Sequence, residues 1–434
     1  MNPLAQELNH VLEQKAPSVY RSLSTMGKDL FFPKGILAQS QEAKAKGHKF
    51  NATLGIATEE GHPMYLPSIQ KFIPDLDPKD VYSYAPAAGK PELRKAWHEK
   101  MFLDNPSLKG RTISQPIVTC GITHGLSLIG DLFLDPGDSV ILPDKFWGNY
   151  KLIYTTRYQS GILTYPLFSN EGHFDLEGFK DHLSRTGKKQ KKLVILMNFP
   201  NNPTGYTPLP HEAEGIRDIL VEQAKKGNDI ILVTDDAYFN LFFKDSIKES
   251  LFAYTTGLHE NILTVKLDGA TKEDYVWGFR VGFITFGLGD ESQADAVYPA
   301  LEKKVLGAIR SKLSNAPHLS QTLVLKALES PNYQQERQNK YETLKKRALK
   351  VMGVSQREKY QSAWSVYPFN SGYFMCLQLK KVNAEKARQH LLNQYGVGII
   401  SVDDTDVRIA FSCVEENQVE ELFDIIYQGI MDLS

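Results

Sequence analysis

Four short segments of the chain carry side chains that could do covalent chemistry together. Lys272 lies eight residues before Arg280. A lysine amine can form a Schiff base with an aldehyde when its surroundings lower its pKa, so Lys272 is the candidate for that bond. The other three segments precede it in the chain: Gly121-Ile122-Thr123, Asn202-Pro203-Thr204-Gly205 and Asp235-Asp236-Ala237-Tyr238. Their residue types are those that a pyridoxal phosphate site requires.

Such a site needs a cradle for the phosphate and a flat face against the ring. Gly121, Ile122 and Thr123 follow a predicted strand and open a predicted helix, so their backbone N–H groups would point at an anion. Thr123 adds a hydroxyl, and Trp147 could cover one face of the ring. Each signal is weak alone, because a glycine before a helix is usually only a turn and a tryptophan is often simply packed.

The ring also needs an acid beside its nitrogen and donors to its phenolic oxygen. Asp235 ends a predicted buried strand, where an unpaired carboxylate is costly. A protonated ring nitrogen would pair with it in a bond worth about 1.5–3 kcal/mol. The amide of Asn202 and the hydroxyl of Tyr238 could both donate to the phenolic oxygen. On these residues alone, a plain turn at Asn202 and an N-cap role for Asp235 stay open.

Two arginines are candidates for binding anions. Arg280 would complete the phosphate cradle, although a single arginine could equally lie on the surface. Arg408 lies in Val407-Arg408-Ile409-Ala410-Phe411, and a charge flanked by strand-forming apolar residues is rarely left unpaired when it is buried. Its forked guanidinium suits the carboxylate of a substrate, and an internal salt bridge is the alternative.

The elements that must position these residues are predicted from short apolar runs. Runs rich in Val, Ile and Leu suit strands that are buried on both faces. They lie at 118–120, 139–142, 193–198, 230–234, 262–265 and 281–286. Helix-like segments such as 210–226 separate several of them, which predicts an α/β fold with a mostly parallel sheet. Ligands of such sheets bind beyond the carboxyl ends of the strands, where most of the candidate residues fall.

The length of 434 residues predicts more than one domain. We expect a large domain that binds the cofactor at 65–340, and a second, smaller α/β domain formed by 1–64 and 341–434. In the later part of the chain, the pattern predicts a polar helical stretch at 313–360, interrupted by Pro331. It then predicts strands at 372–379 and 407–411 and a last helix at 415–427.

Composition excludes several classes of function. With 50 basic and 51 acidic residues, the chain has no basic footprint for nucleic acid or an anionic membrane. Cys120, Cys376 and Cys413 are too far apart for a disulfide framework or a zinc site, so a reducing compartment and a site without metal are expected. No signal peptide and no apolar stretch of roughly 18 residues is present, which favours a cytoplasmic protein.

Taken in chain order, these residues resemble the class I aminotransferases of the aspartate aminotransferase superfamily, which have fold type I and depend on pyridoxal phosphate. The resemblance spans about 51–408, and 146–151 resembles the segment that carries the family's stacking aromatic residue. It implies that Lys272 binds the cofactor and that Arg280 binds its phosphate. It further implies that Arg408 binds the α-carboxylate of the substrate, beside Asn202 and Trp147.

The resemblance also implies a second subunit. Tyr84 resembles the tyrosine that reaches the phosphate of the neighbouring subunit, so a homodimer with a shared active site is expected. Arg310 resembles the arginine that binds the side-chain carboxylate of the substrate in dicarboxylate-specific members. One departure is Gly269, which stands where the family usually has a serine that contacts the phosphate. Thr271 is expected to compensate for the lost donor.

The activity that the resemblance implies is transamination between an L-amino acid and a 2-oxo acid such as 2-oxoglutarate. Arg310 would favour aspartate or glutamate as one partner. Lys272 would move a proton from the substrate Cα to the cofactor, while Asp235 and Tyr238 complete the catalytic set. A lyase that carries out β- or γ-elimination on the same scaffold is the alternative, because a fold does not determine a reaction. A regulator is less expected, since no basic recognition helix accompanies these motifs.

Overall fold

A seven-stranded sheet lies at the centre of the computed structural model, which describes residues 1–31 and 35–434. Its strands in chain order are β1 Ile117–Cys120, β2 Ser139–Pro143, β3 Gly161–Tyr165, β4 Lys192–Asn198, β5 Asp229–Asp235, β6 Ile262–Asp268 and β7 Val281–Leu288. Their spatial order is β1-β7-β6-β5-β4-β2-β3, and only β7 runs antiparallel to its neighbours. The prediction of an α/β fold with a mostly parallel sheet is confirmed.

Both faces of this sheet are covered, as the unbroken apolar runs predict. In β4, Val194 and Leu196 belong to one apolar core, whereas Leu193, Ile195 and Met197 belong to a second core on the other face. This division follows from the two-residue period of a strand. The helices around the sheet are Pro67–Gln70, Pro78–Tyr82, Pro91–Asp104, Ile122–Phe133, Leu176–Gly187, Pro210–Lys225, Leu251–Thr255, Ala270–Glu273, Ala294–Lys312 and His318–Leu328, with a π-helix at Lys151–Arg157.

A second, antiparallel sheet follows in the chain. Its strands are β8 Trp364–Val366, β9 Phe374–Leu379, β10 Ile400–Ser401 and β11 Asp406–Ala410, in the spatial order β8-β9-β11-β10. The accompanying helices are Tyr333–Ser355, Ala384–Tyr395 and Val419–Met431. The last of these begins later than the predicted 415–427, because a short 3-10 turn at Glu416–Gln418 precedes it.

The N-terminal segment contacts elements that lie beside each of the two sheets. Its helices are Pro3–Lys15, Pro17–Ser22, Thr25–Asp29 and Ile36–Lys46. Phe50–Asn51 pairs in parallel with Val397–Gly398, beside the second sheet. Thr25–Asp29 instead contacts the π-helix beside the first sheet. The domain bounds 1–64, 65–340 and 341–434 stay a prediction. Within the described part of the chain, no helix is both long enough and apolar enough to cross a bilayer.

Candidate active site

A cavity of about 290 Å³ opens beyond the carboxyl ends of β4, β5 and β6. Residues from the first sheet, the second sheet and the N-terminal segment all line it. The predicted site residues among them are Ile122, Thr123, Trp147, Asn202, Asp235, Tyr238, Thr271, Lys272, Arg280 and Arg408. Residues that lie far apart in sequence therefore meet at one end of the sheet.

Lys272 lies on a single helical turn, Ala270–Glu273, that follows β6. Burial lowers the pKa of its amine to about 8; the charge of Asp235 opposes this shift, and that of Arg280 adds to it. The Lys272 amine lies 4.9 Å from the centre of the Tyr238 ring. An amine with this pKa is partly neutral near neutral pH, as a nucleophile must be.

Asp235 ends β5 and is only 3% exposed. Burial raises the pKa of its carboxyl to about 6, although the hydrogen bond from Tyr150 and the charge of Lys272 oppose the rise. The Tyr150 hydroxyl donates to Asp235 Oδ2 at 2.6 Å, and the Ala237 N–H donates to Oδ1 at 3.2 Å. Sequence reasoning missed Tyr150, although it follows Trp147 by three residues, a spacing that places two side chains on one face of a helical turn.

Asn198, the last residue of β4, connects Asp235 to the segment Asn202-Pro203-Thr204-Gly205. Its side-chain amide donates to the Asp235 carbonyl at 2.7 Å, and its Oδ1 accepts from the Asn202 N–H at 2.8 Å. Sequence reasoning also missed Asn198, because it reads as the polar end of an apolar strand. The Asn202 backbone is therefore bonded directly to the strand end that carries Asp235.

Arg408 enters the cavity from β11 and is 2% exposed. Its guanidinium donates to Asn202 Oδ1 and to the Thr53 carbonyl, both at 3.0 Å, and lies 4.0 Å from the centre of the Phe374 ring. Its Nε has no partner among the described residues, and none of their ion pairs includes it. The internal salt bridge considered from the sequence is therefore absent from 1–31 and 35–434, which leaves this cation suited to the carboxylate of a ligand.

A second group of residues at the cavity, around the start of helix Ile122–Phe133, suits a phosphate. The first N–H groups of this helix lack partners within the helix. Gly121 has a φ of +74°, and a Cβ at this position would lie 2.3 Å from the Arg280 guanidinium. The Thr271 hydroxyl is buried and has no partner in the described chain. An unpaired hydroxyl, free N–H groups and a guanidinium are the donors that a phosphate requires.

The backbone packing accounts for Gly269. A Cβ at this position would lie 2.6 Å from the Val281 carbonyl oxygen and 2.7 Å from Gly282 Cα. The usual serine of the resembled family therefore does not fit without a shift of β7. The expectation that Thr271 compensates stays a prediction, and its unpaired hydroxyl is consistent with that role.

Gly121 is not among the residues that line this cavity, although Ile122 beside it is. Two further predicted residues, Tyr84 and Arg310, lie away from the cavity. Tyr84 is 89% exposed, between helices Pro78–Tyr82 and Pro91–Asp104. Arg310 is exposed in the last turn of Ala294–Lys312, where it donates to the Ser314 hydroxyl. Neither residue lines the cavity, so the contact of Tyr84 with a neighbouring subunit and the role of Arg310 in binding a substrate carboxylate stay predictions.

The known proteins that this chain resembles in sequence and in structure include several aminotransferases. The family model of class I and II aminotransferases matches residues 55–426. A probable aspartate/prephenate aminotransferase of Aquifex aeolicus is 26% identical over 351 residues, which cover 78% of this chain and 81% of the relative. An aminotransferase structure from Anaerococcus prevotii has a TM-score of 0.82 at 23% identity, over 95% of this chain and 98% of that one. A kynurenine aminotransferase of Pyrococcus horikoshii in complex with PMP has a TM-score of 0.79 at 17% identity, over 96% and 98%.

Proposed function

The chain belongs to the class I and II aminotransferases, which depend on pyridoxal phosphate, and we propose that it moves an amino group between an L-amino acid and a 2-oxo acid such as 2-oxoglutarate. The observation that carries this proposal is one cavity that holds Lys272, Asp235 and Arg408, and Arg408 has no carboxylate partner among the described residues. The similar proteins are named as aminotransferases, so elimination on the same scaffold is not favoured.

The residues of the cavity fit the cofactor at each of its polar groups. We assign Lys272 to the covalent hold on its aldehyde, and Asp235 to its ring nitrogen. The N–H groups that open helix Ile122–Phe133, the Thr271 hydroxyl and Arg280 would bind its phosphate. Gly121 contributes by leaving room for the guanidinium. We assign Trp147 to the ring face, and Asn202 and Tyr238 to the phenolic oxygen.

Bound pyridoxal phosphate supplies an electron sink for the electron pair that remains when the substrate Cα–H bond breaks. Arg408 would hold the α-carboxylate of the substrate and so fix the direction of that bond. The neutral amine of Lys272 would take the proton from Cα and return it at the cofactor carbon. Asp235, held by Tyr150, would keep a proton on the ring nitrogen.

The Asn202 side chain contributes through its orientation. Its Oδ1 accepts from Arg408, which leaves its NH₂ group available as a donor. One asparagine can therefore orient the arginine with its oxygen and bind the cofactor with its nitrogen. This arrangement supports the assignment of Asn202 to both cofactor and substrate.

We further propose a cytoplasmic homodimer with a shared active site that accepts aspartate or glutamate. The exposed Tyr84 is available to a second subunit. Arg310 lies outside the cavity of its own chain and would bind a side-chain carboxylate in the cavity of the partner subunit. The name of the Aquifex aeolicus relative supports aspartate as a donor. The free cysteines of the described chain support a reducing compartment.

The test is a screen of amino donors with 2-oxoglutarate, in which both glutamate and free ammonia are measured. The wild-type protein is compared with Lys272→Ala and with the control Lys380→Ala, which alters an exposed lysine. We expect glutamate from the wild type and the control, and none above background from Lys272→Ala. Turnover by Lys272→Ala near the wild-type rate, or release of ammonia without an acceptor, would refute the proposal.

A further inference from the structure

A cluster of buried charges directly follows Lys272, and the proposed mechanism does not use it. Glu273 and Asp274 are 3% and 0% exposed. Glu273 Oε2 lies 2.6 Å from the Lys100 ammonium and 3.3 Å from the Arg337 guanidinium. Lys100 also pairs with Asp104, at 2.5 Å. The cluster therefore contains two cations, Lys100 and Arg337, and three carboxylates, those of Asp104, Glu273 and Asp274. It lies next to the residue that we assign to the cofactor.

Asp274 has its own partners in the cluster. Its Oδ1 accepts from the Tyr333 hydroxyl at 2.6 Å and lies 3.6 Å from Arg337 Nε. Arg337 therefore contacts both carboxylates that follow Lys272, one through Nη2 and the other through Nε. The forked geometry of a guanidinium makes such a double contact directional, which a lysine could not reproduce.

The cluster joins three elements that are distant in sequence. Lys100 and Asp104 belong to helix Pro91–Asp104, and Arg337 and Tyr333 belong to helix Tyr333–Ser355. Glu273 ends the turn Ala270–Glu273, which carries Lys272. The lysine turn is therefore tied to two long helices through charged side chains.

A turn of four residues needs such ties. Helix formation in water is unfavourable below roughly 12–15 residues, so this turn has no stability of its own. Backbone bonds join it to the residues that follow, from the Asp274 N–H to the Ala270 carbonyl at 2.9 Å, from the Val276 N–H to the Thr271 carbonyl at 3.1 Å and from the Tyr275 N–H to the Lys272 carbonyl at 3.4 Å. These bonds fix the backbone of the turn and not the rotation of its side chains. The direction of its side chains therefore depends on contacts outside the turn.

The geometry of a helical turn links Glu273 to Lys272. Successive residues of a helix point about 100° apart, so a side chain held on one side orients the side chain that precedes it. Glu273 is held by Lys100 and Arg337, while the Lys272 amine lines the cavity. A buried ion pair adds little stability over an apolar core, and its better-supported use is to specify one arrangement.

We propose that Glu273 and Asp274 are positioning residues, which hold the lysine turn so that the Lys272 amine faces the cofactor cavity. The catalytic consequence rests on the proposed function. The anchoring of the turn is independent of the proposed function, and it can be measured in the cofactor-free protein.

The test compares Glu273→Gln with the matched control Glu302→Gln by hydrogen exchange and mass spectrometry of the cofactor-free protein. Glu302 pairs at 2.8 Å with Arg94, which lies on the same helix as Lys100 but outside the cluster. We expect Glu273→Gln to speed exchange in the peptide 270–276 roughly tenfold relative to the β5 peptide, and we expect no such change in the control.

Equal acceleration of both peptides, or none in 270–276, would overturn the anchoring role, because a general loss of stability affects the β5 peptide as well. If Glu273→Gln fails to fold, Arg337→Lys permits the same comparison, since it keeps the charge and removes the fork.

The cofactor-loaded protein tests the catalytic consequence. We expect Glu273→Gln to lower kcat roughly tenfold while KM changes less than about threefold, because the substrate contacts stay in place. A wild-type kcat in a variant whose turn exchanges faster would overturn the positioning role. A wild-type protein without aminotransferase activity would instead contradict the proposed function, and the exchange result would still decide the anchoring.

Discussion

Changing the charges beside Lys272 should shift the pH at which its amine becomes neutral. Burial lowers the pKa of this amine to about 8, from an ordinary 10.5. At about pH 7.5, roughly a quarter of the amine is then neutral, against roughly one part in a thousand for an ordinary lysine. Asp235 raises this pKa and Arg280 lowers it. Asp235→Asn should therefore move the midpoint below 8, and Arg280→Met should move it above 8.

Competitive labelling of the cofactor-free protein measures this midpoint directly. Acetic anhydride in trace amounts reacts with neutral amines, and peptide mass spectrometry follows modification at residue 272 from about pH 6 to about pH 11. The modification at residue 272 is divided by that of peptides with exposed lysines, which corrects for the reactivity of the reagent at each pH. A wild-type midpoint near 10.5, or a shift of both variants in the same direction, would refute the electrostatic reasoning about Lys272.

The same shift predicts a gain in stability for Lys272→Met. The folded chain binds this proton more weakly than the unfolded chain, so the free energy of unfolding rises with pH between about 8 and 10.5. Below about pH 8 the buried amine is protonated in the folded chain, which lowers the free energy of unfolding by the full cost of burying that charge, about 3 kcal/mol. The variant without cofactor should gain up to that amount at about pH 7 and lose the gain near pH 10.5. Urea unfolding at both pH values checks this, and equal stabilities at both would contradict it.

Three further variants test other parts of the site. Tyr150→Phe removes a hydrogen bond that lowers the pKa of Asp235, so the infrared titration of that carboxyl should move above pH 6; an unchanged titration would contradict this reading. Arg408→Met should raise KM for the amino acid roughly 10- to 100-fold in steady-state kinetics, through the loss of a charge-assisted bond, and an unaltered KM would exclude this contact with the substrate. Gly269→Ser should cost about 1–3 kcal/mol in urea unfolding, because the new Cβ meets the backbone of β7. Gly278→Ser is its control, since, apart from its two chain neighbours, no atom of residues 1–31 or 35–434 lies within 4 Å of a Cβ there, and equal costs would argue against the packing explanation.

The sequence alone indicates most of the elements, because their signals are local. The apolar run at 230–234 lies within β5, Asp229–Asp235, and the helix predicted at 210–226 is observed at Pro210–Lys225. The motif residues Asn202, Asp235 and Lys272 could likewise be chosen from residue type and chain order. The inferences about the elements use only neighbouring residues, and the choice of the motif residues adds their order along the chain.

Contacts between distant residues were decided by the tertiary structure. Arg408 donates to Asn202, which precedes it by 206 residues, and Tyr150 donates to Asp235. No local pattern indicates which of several polar side chains will share a cavity. Gly269 reads only as a missing donor in the sequence, whereas the close approach of β7 shows why a larger residue is excluded.

The amino-acid sequence therefore determined the chemical groups and the strand ends at which they lie, since the periodicity of apolar residues dictates which segments are buried. Folding decided their environment. Burial moves the pKa of Lys272 down and that of Asp235 up, and packing leaves Arg408 without a carboxylate among the described residues. Desolvation and orientation depend on residues throughout the chain, so they follow only from the packed structure.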